Sequence, residues 1–168
     1  MPAKPPAPVY LPAFQQLVPD LLGEPWAADD GLSPREIEER LPSAPAAEQL
    51  GDAFVLPAAL REFYLALGNC GDLLETAHYF WDPDDLEARD GYLMFLEDED
   101  ETVVWGLPVA NLTLPDPLVW RRSAGAEAEE GVWEDEGGTF SEFVLDLLAW
   151  TFEDPGDEDD GAERGVTR

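Results

Sequence analysis

Few residues of this chain could carry nucleophilic chemistry, since it contains one cysteine, Cys70, and one histidine, His78. A thiol attacks as the thiolate, and it usually needs a histidine base that a third group orients. No motif of a cysteine enzyme surrounds either residue, so we expect Cys70 to be a small structural residue near a helix end. A single cysteine also excludes an intramolecular disulfide and Cys-based metal cages.

Carboxylates are the other reactive groups, and the chain contains 38 Asp and Glu residues. The acidic stretch 153–160 lacks the D-x-[DN]-x-[DN]-G spacing, followed by Glu, that a calcium loop requires. Catalysis by paired carboxyl groups needs environments that perturb their pKa values, which a sequence does not show. The sequence has no glycine-rich phosphate loop, nucleophile elbow or metal-ligand cluster. We therefore expect no enzymatic activity, no cofactor and no bound metal.

The balance of charge restricts the class of partner. Against the 38 acidic residues stand 9 Lys and Arg, which gives a formal net charge of -29. Such a chain repels nucleic acid and anionic membrane surfaces, because both are bound through Lys and Arg. It attracts cationic partners and accelerates their encounter. The alternative is that the charge serves only solubility or adaptation to high salt.

The candidate residues for binding a cationic partner are two acidic runs and two residues at predicted turns. They are Glu97, Asp98, Glu99, Asp100 and Glu101; Glu134, Asp135 and Glu136; and Trp81 and Asp116. Carboxylates concentrated on one turn would form a focused negative patch. The alternative interpretation is a solvated turn whose charges discourage association between strand edges.

The tryptophans divide into two groups. Trp105, Trp120, Trp133 and Trp150 lie in predicted helices and strands, so we expect core packing for them rather than ligand stacking. Trp26, like Trp81, lies in a predicted loop, where an exposed Trp would be a plausible interaction hot spot.

Four segments have helical signatures. Residues 11–22 carry apolar side chains at helical spacing, and Pro19 is expected to kink or shorten that helix. Ser33-Pro34-Arg35-Glu36 is a capping box that opens a short helix, which Pro42 and Pro45 should end. Residues 56–69 form the clearest helix, and Thr139-Phe140-Ser141-Glu142 is a second capping box that opens the last one.

The middle of the chain has the signatures of strands. Residues 92–96 and 102–105 read as two strands joined by the acidic turn 97–101, and weaker strands are expected at 77–81, 118–121 and 131–133. Because 92–96 is apolar on both faces, we expect it to be central in the sheet. Helices that precede and follow a meander predict an α+β fold, with an antiparallel sheet of about four to six strands and helices at one face and end.

The length of 168 residues suits one domain with tails. We expect a disordered Pro-rich N-terminus over 1–10, a single domain over 11–152 and an acidic disordered tail over 153–168. The sequence lacks an apolar run of the ~20 residues that span a bilayer, and it lacks the apolar core of a signal peptide. These features favour a cytoplasmic protein, either a monomer or a weak homodimer.

The order of these motifs resembles the SUKH superfamily over about residues 33–152. The matching motifs, in order, are Glu36-Ile37, Leu56-Pro57, Phe63-Tyr64-Leu65-Ala66-Leu67-Gly68-Asn69, Pro83-Asp84-Asp85-Leu86, Asp90-Gly91-Tyr92-Leu93-Met94-Phe95-Leu96-Glu97, Val103-Val104-Trp105-Gly106, Asp116-Pro117-Leu118-Val119-Trp120, Trp133 and Phe140-Ser141-Glu142-Phe143. Each motif is common alone, and the resemblance rests on their joint order. The chain departs from many relatives where acids replace amides after Leu96, and where Leu118 stands in place of a second proline.

The resemblance implies a protein that binds other proteins. Bacterial members of the superfamily look like immunity proteins, which bind and neutralise a secreted toxin, often a nuclease. The expected partner is therefore a cationic toxin domain. If this toxin is a nuclease, the acidic surface would cover its nucleic-acid groove or the rim of that groove. The alternative is an intracellular regulatory or scaffold protein of the same fold without a toxin partner. A shared fold does not name the partner.

Overall fold

The computed structural model of the protein describes residues 9–74, 78–98, 102–123 and 133–153. In these ranges the chain runs through five helices, forms an antiparallel sheet and closes with a sixth helix that follows the last strand. The α+β class expected from the sequence is confirmed. The expected tails at 1–10 and 153–168 lie almost entirely outside the described residues.

The first helix shows how proline and glycine set its limits. Helix α1 spans Leu11–Leu17 and continues as a wider π-helical turn over Val18–Leu22. Pro19 has no backbone N–H to donate, so regular α-helical bonding cannot pass through it. The chain leaves the helix at Gly23, whose φ of 75° is the left-handed conformation that glycine adopts at little cost.

Helix α2 spans Pro34–Arg40, and the expected capping box is present. The Glu36 N–H donates to Ser33 Oγ at 3.1 Å, and the Ser33 N–H donates to Glu36 Oε1 at 2.9 Å. Pro45 was expected to end this helix but instead begins α3, Pro45–Leu50, because proline suits the first position of a helix. Helix α2 already ends at Arg40.

Three further helices complete the helical layer. Helix α4 spans Ala58–Leu67 between Pro57 and Gly68, as expected, and is followed by the short helix α5, Gly71–Leu74. Helix α6 spans Phe140–Glu153. No helix in the described part of the chain combines the length and apolar character needed to cross a membrane.

The sheet has six strands. They are β1, His78–Phe80; β2, Glu87–Arg89; β3, Tyr92–Asp98; β4, Val103–Pro108; β5, Leu118–Ser123; and β6, Trp133–Thr139. Their order is β1-β3-β4-β5-β6, with β2 also pairing with β3, and every pairing is antiparallel. Strand β3 is therefore internal, as expected, while β6 forms an edge of the sheet.

Three features of the sheet differ from the expectation. Glu97 and Asp98 belong to β3 rather than to the turn, since they pair with Tyr79 and His78 of β1. Strand β6 starts at Trp133 and continues to Thr139, well beyond the expected 131–133. Strand β2 was not expected, although Asp90-Gly91, with φ of 56° and 85°, forms the two-residue turn that joins it to β3.

The core lies between the helices and one face of the sheet. Phe14 of α1, Phe63 of α4 and Phe140 of α6 pack edge to face around a common centre, with ring centroids 5.6–6.4 Å apart. Phe95 of β3 joins them at 5.1 Å from Phe140. On the opposite face of the sheet Tyr92 stacks on Trp133 at 4.2 Å. The helices are thus held to one face, and α6 leaves β6 and returns across it.

Candidate functional site

A groove runs between the edge strand β6 and helix α6, with a volume of about 680 Å³. It is lined by Glu136, Gly137 and Gly138 of β6 and by Glu142, Phe143, Leu145, Asp146, Leu147 and Trp150 of α6. The lining combines three carboxylates with apolar side chains. Such a surface can hold a side chain that has an apolar stem and a cationic end.

Local hydrogen bonds place the start of α6 beside β6. Glu142 Oε1 accepts from the Thr139 N–H at 3.0 Å and from the Thr139 hydroxyl at 3.2 Å, which is the expected capping box. Asp116, in the loop before β5, accepts from the Ser141 N–H at 2.9 Å and from the Ser141 hydroxyl at 2.6 Å. These contacts bind the otherwise unsatisfied N–H groups of the first turn. They fix the direction in which α6 leaves the sheet.

Three side chains of α6 form one stripe along the groove. Glu142, Asp146 and Trp150 follow at intervals of four residues, which places them on the same side of a helix. The opposite stripe carries Phe140 and Val144, both fully buried. Trp150 is 59% exposed, and Asp146 is exposed and forms no hydrogen bond or ion pair with the described residues.

Glu136 forms the wall of the groove on the β6 side. Its Oε1 accepts from the indole N–H of Trp105 at 2.9 Å, and its Oε2 lies 3.8 Å from Arg121. Arg121 also lies 3.7 Å from Glu134, so it is shared between two carboxylates. Glu136 is therefore held in place, while its charge is only partly neutralised.

The acidic run of β6 is divided by the alternation of the strand. Glu134 and Glu136 share the face of Arg121, whereas Asp135 projects from the other face and accepts from the Gly137 N–H at 2.7 Å. Of the three candidate residues, only Glu136 lines the groove. Gly137 has a φ of 97°, which lets the strand bend toward α6.

The other acidic run has a structural role at its beginning. Asp98 accepts hydrogen bonds from the Thr102 N–H at 2.7 Å, the Thr102 hydroxyl at 2.6 Å and the Val103 N–H at 3.0 Å. Burial alone would raise the pKa of Asp98, but these bonds and the nearby His78 lower it below its ordinary value. Asp98 thus closes the β3–β4 hairpin. Glu99, Asp100 and Glu101 lie outside the described residues.

Trp81 and Asp116 are both partly buried. The Trp81 carbonyl accepts from the Tyr64 hydroxyl at 2.6 Å, and its side chain packs against the core. Burial raises the pKa of Tyr64 well above its ordinary value, and the nearby carboxylates of 82, 85 and 84 raise it further. Asp116 binds the start of α6, as described above. The structure therefore gives both residues a stabilising function, and neither reaches the groove.

Sequence reasoning misjudged Trp150, which was expected in the core but is exposed. Trp26, a candidate hot spot if exposed, is instead half-buried, and its indole N–H donates to the Ala66 carbonyl at 2.7 Å. The spacing of Glu142, Asp146 and Trp150 was the available signal for the groove. This signal could not be recognised from the sequence, because an amphipathic pattern does not show which positions the other elements cover.

A second carboxylate cluster lies where β1 leads toward β2. One ligand oxygen each of Asp82, Asp84 and Asp85 lies within 4.8 Å of the others. Such oxygens are the donors that Ca²⁺ and Mg²⁺ prefer. Arg40 already supplies a positive charge, at 3.7 Å from Asp84. The sequence did not single out this cluster, and the expected absence of a metal stays a prediction.

The cysteine is in a poor environment for nucleophilic chemistry. Cys70 is 5% exposed, and burial, aided by the charges of Asp30, Asp72 and Glu24, raises the pKa of its thiol. The thiol therefore stays protonated near neutral pH, where a nucleophile would need the thiolate. His78 packs its ring against Trp105, with centroids 5.4 Å apart.

Comparison of the chain with protein-family models, with curated proteins and with solved structures gives no match.

Proposed function

We propose that the protein is a binding module that neutralises a cationic toxin domain, as an immunity protein does, and that it belongs to the SUKH superfamily. The superfamily assignment rests on the order of sequence motifs. An α+β domain with an antiparallel sheet is compatible with it, although fold class by itself does not name a function. The proposal of binding rests on the charge of the surface.

One observation carries the proposal: every arginine in the described ranges is already engaged with a carboxylate. The six are Arg35, Arg40, Arg61, Arg89, Arg121 and Arg122, at N–O distances of 3.1–3.9 Å. Carboxylates outnumber these arginines in the described ranges, so the surface keeps an excess of negative charge. A phosphate or an anionic surface finds no free arginine there.

The surplus charge does not contribute to stability. Exposed ion pairs contribute about 0–1 kcal/mol each, and an excess of one sign destabilises the compact state through repulsion. A cationic partner would relieve that repulsion, so the excess of carboxylates favours its binding.

The mechanism that follows is electrostatic capture and steric block. A toxin that cleaves nucleic acid needs a basic cleft for the phosphates. An acidic protein that covers this cleft competes directly with the substrate. Complementary charge raises association rates from about 10⁵–10⁶ toward 10⁸–10⁹ M⁻¹s⁻¹ at low salt. Rapid capture is what a producing cell needs before the toxin reaches its target.

Co-expression tests the function. The toxin domain encoded beside this protein's gene should arrest growth alone, and growth should recover when the protein is co-expressed. In vitro, the association rate should fall steeply between about 0.01 and 1 M ionic strength, as the Debye length shortens from about 30 to 3 Å. The proposal is wrong if the protein neither binds nor neutralises that domain or any secreted effector of the same strain. A housekeeping partner in its place would favour the scaffold alternative.

A further inference from the structure

We propose that the groove between β6 and α6 is the docking site for a segment of the partner that presents an arginine next to an apolar side chain. This inference rests on the proposed function, because it assigns the recognition of a cationic partner to one surface. Three features of the groove support it.

The first feature is the exposed indole. Trp150 leaves 59% of its surface in solvent, although the helix has buried positions available on its other side. Tryptophan is enriched at the energetic centres of protein interfaces. Its ring also binds a guanidinium through its face. It stands beside Leu147 and Asp146 in the lining of the groove, so that apolar and charged contacts meet there.

The second feature is the placement of charge on the helix. Glu142 and Asp146 are like charges at a spacing of four, which is unfavourable on a helix surface. The last turn of α6 contains no basic residue, although a helix C-terminus favours a cation. The paired acids and the absence of a basic residue leave the groove negatively charged. They become favourable once a cation from another molecule lies between the carboxylates.

The third feature is the opposite wall. Glu136 faces the helix from β6, and its position is set by Trp105 and Arg121. Gly137 and Gly138 add no side chains, and a Cβ on Gly137 would meet no described residue within 4 Å. A partner segment can therefore approach the backbone of the edge strand closely. Within the part of the chain that the structure describes, this side of the groove is open to a chain in extended conformation.

Arginine fits this site better than the other cations. Its planar guanidinium can donate to two carboxylates at once and stack on an indole, whereas a lysine ammonium is a compact point charge. The three carboxylates border the groove from both sides, and Phe143 and Leu147 provide an apolar wall for the stem. The volume of about 680 Å³ suits a few side chains rather than a large ligand.

Synthetic peptides separate this inference from the proposed function. The probe is the extended peptide acetyl-GLRLRG-amide, titrated into the full chain while the indole N–H resonances are followed by NMR. We expect the Trp150 resonance, assigned by its loss in Trp150→Phe, to shift on titration. The same peptide with citrulline in place of arginine should leave it unchanged, and a lysine peptide should bind more weakly.

Matched variants localise the contact. The double variant Glu142→Gln and Asp146→Asn should weaken binding at least about tenfold, the scale of an interface hot spot. The amide of residue 142 still accepts the capping bonds, so the helix should stay folded. The control variant Glu48→Gln and Asp52→Asn removes the same charge from exposed positions on other elements, and it should change affinity less than about twofold.

Three results would overturn the inference. They are equal shifts with the arginine and citrulline peptides, equal affinity for lysine and arginine, and equal weakening in the control double variant. Isothermal titration calorimetry, which does not need the Trp150 resonance, must also show that Trp150→Ala abolishes binding, while Leu114→Ala, which trims another exposed side chain, must not. If the peptide binds as expected but no toxin is neutralised, the docking site is supported and the proposed immunity function is refuted.

Discussion

Replacement of Asp116 by alanine should destabilise the protein. The carboxylate binds the N–H and hydroxyl of Ser141 at 2.9 and 2.6 Å, across 25 residues of chain. Ser141 is 8% exposed, so few waters can replace these bonds. The variant leaves the buried N–H and hydroxyl of Ser141 without an acceptor. Both lie at the start of α6, the helix whose Phe140 packs in the core.

The size of the effect follows from these contacts. A hydrogen bond to a charged group contributes about 1.5–3 kcal/mol, and a half-exposed acceptor loses part of that to water. We expect a loss of about 2 kcal/mol in the free energy of unfolding, comparable to removal of a strong helix cap. For a domain of this size that corresponds to a fall of about 4–8 °C in Tm. Asp116→Asn keeps one acceptor and should cost about 1 kcal/mol.

Urea unfolding, followed by far-UV circular dichroism, measures the change. The midpoint should fall while the slope stays constant, because the folded and unfolded states keep their difference in exposed surface. Asp52→Ala is the control, since this aspartate is exposed and makes no side-chain hydrogen bond among the described residues. A loss for Asp116→Ala within about 0.5 kcal/mol of that control would refute the structural role.

Three further variants test the packing and electrostatics of the fold. Tyr64→Phe removes the donor to the Trp81 carbonyl and should cost about 1–3 kcal/mol in urea unfolding; a neutral result would contradict the buried bond. Asp98→Asn should be less stable than the parent near neutral pH, and the difference should shrink as pH falls below about 4. The sign follows because a lowered pKa stabilises the folded state above the unfolded-state value, and this contribution is lost as pH falls through the folded value; a pH-independent difference would contradict it. Gly106→Ala places a Cβ 3.0 Å from the Leu93 carbonyl and 3.3 Å from the Trp133 ring, so it should cost about 1–3 kcal/mol by thermal unfolding, and an unchanged Tm would exclude this crowding.

Several elements of the fold were predictable because their causes lie within a few residues. The capping boxes at Ser33 and Thr139 join residues three apart, and both form as expected. Pro57 and Gly68 limit α4 through their own backbone properties. The apolar run of β3 predicted a central strand, and β3 is internal in the sheet with all of 93–96 buried. The short strand β2 was not predicted, although the Asp90-Gly91 turn that follows it is a local signal for a hairpin.

The candidate site was only partly predictable. Glu136 was singled out from the acidic run of β6, but its neighbours in the groove come from α6. Net charge is a sum over the whole chain, so the composition is enough to predict a cationic partner. The composition does not show which carboxylates line a cleft. That depends on the angle at which α6 leaves β6, which is set by Asp116 from a distant loop.

The sequence alone determined the acidic character, the ends of the main helices and the α+β class, because these depend on composition and on neighbours along the chain. Tertiary structure alone decided which side chains are covered. Trp105 and Trp150 both lie in regular elements, yet the first is 7% exposed and the second 59%. Coverage is a property of the elements packed around a residue, and hydrogen bonds such as Asp116 to Ser141 form only when the fold brings distant segments together.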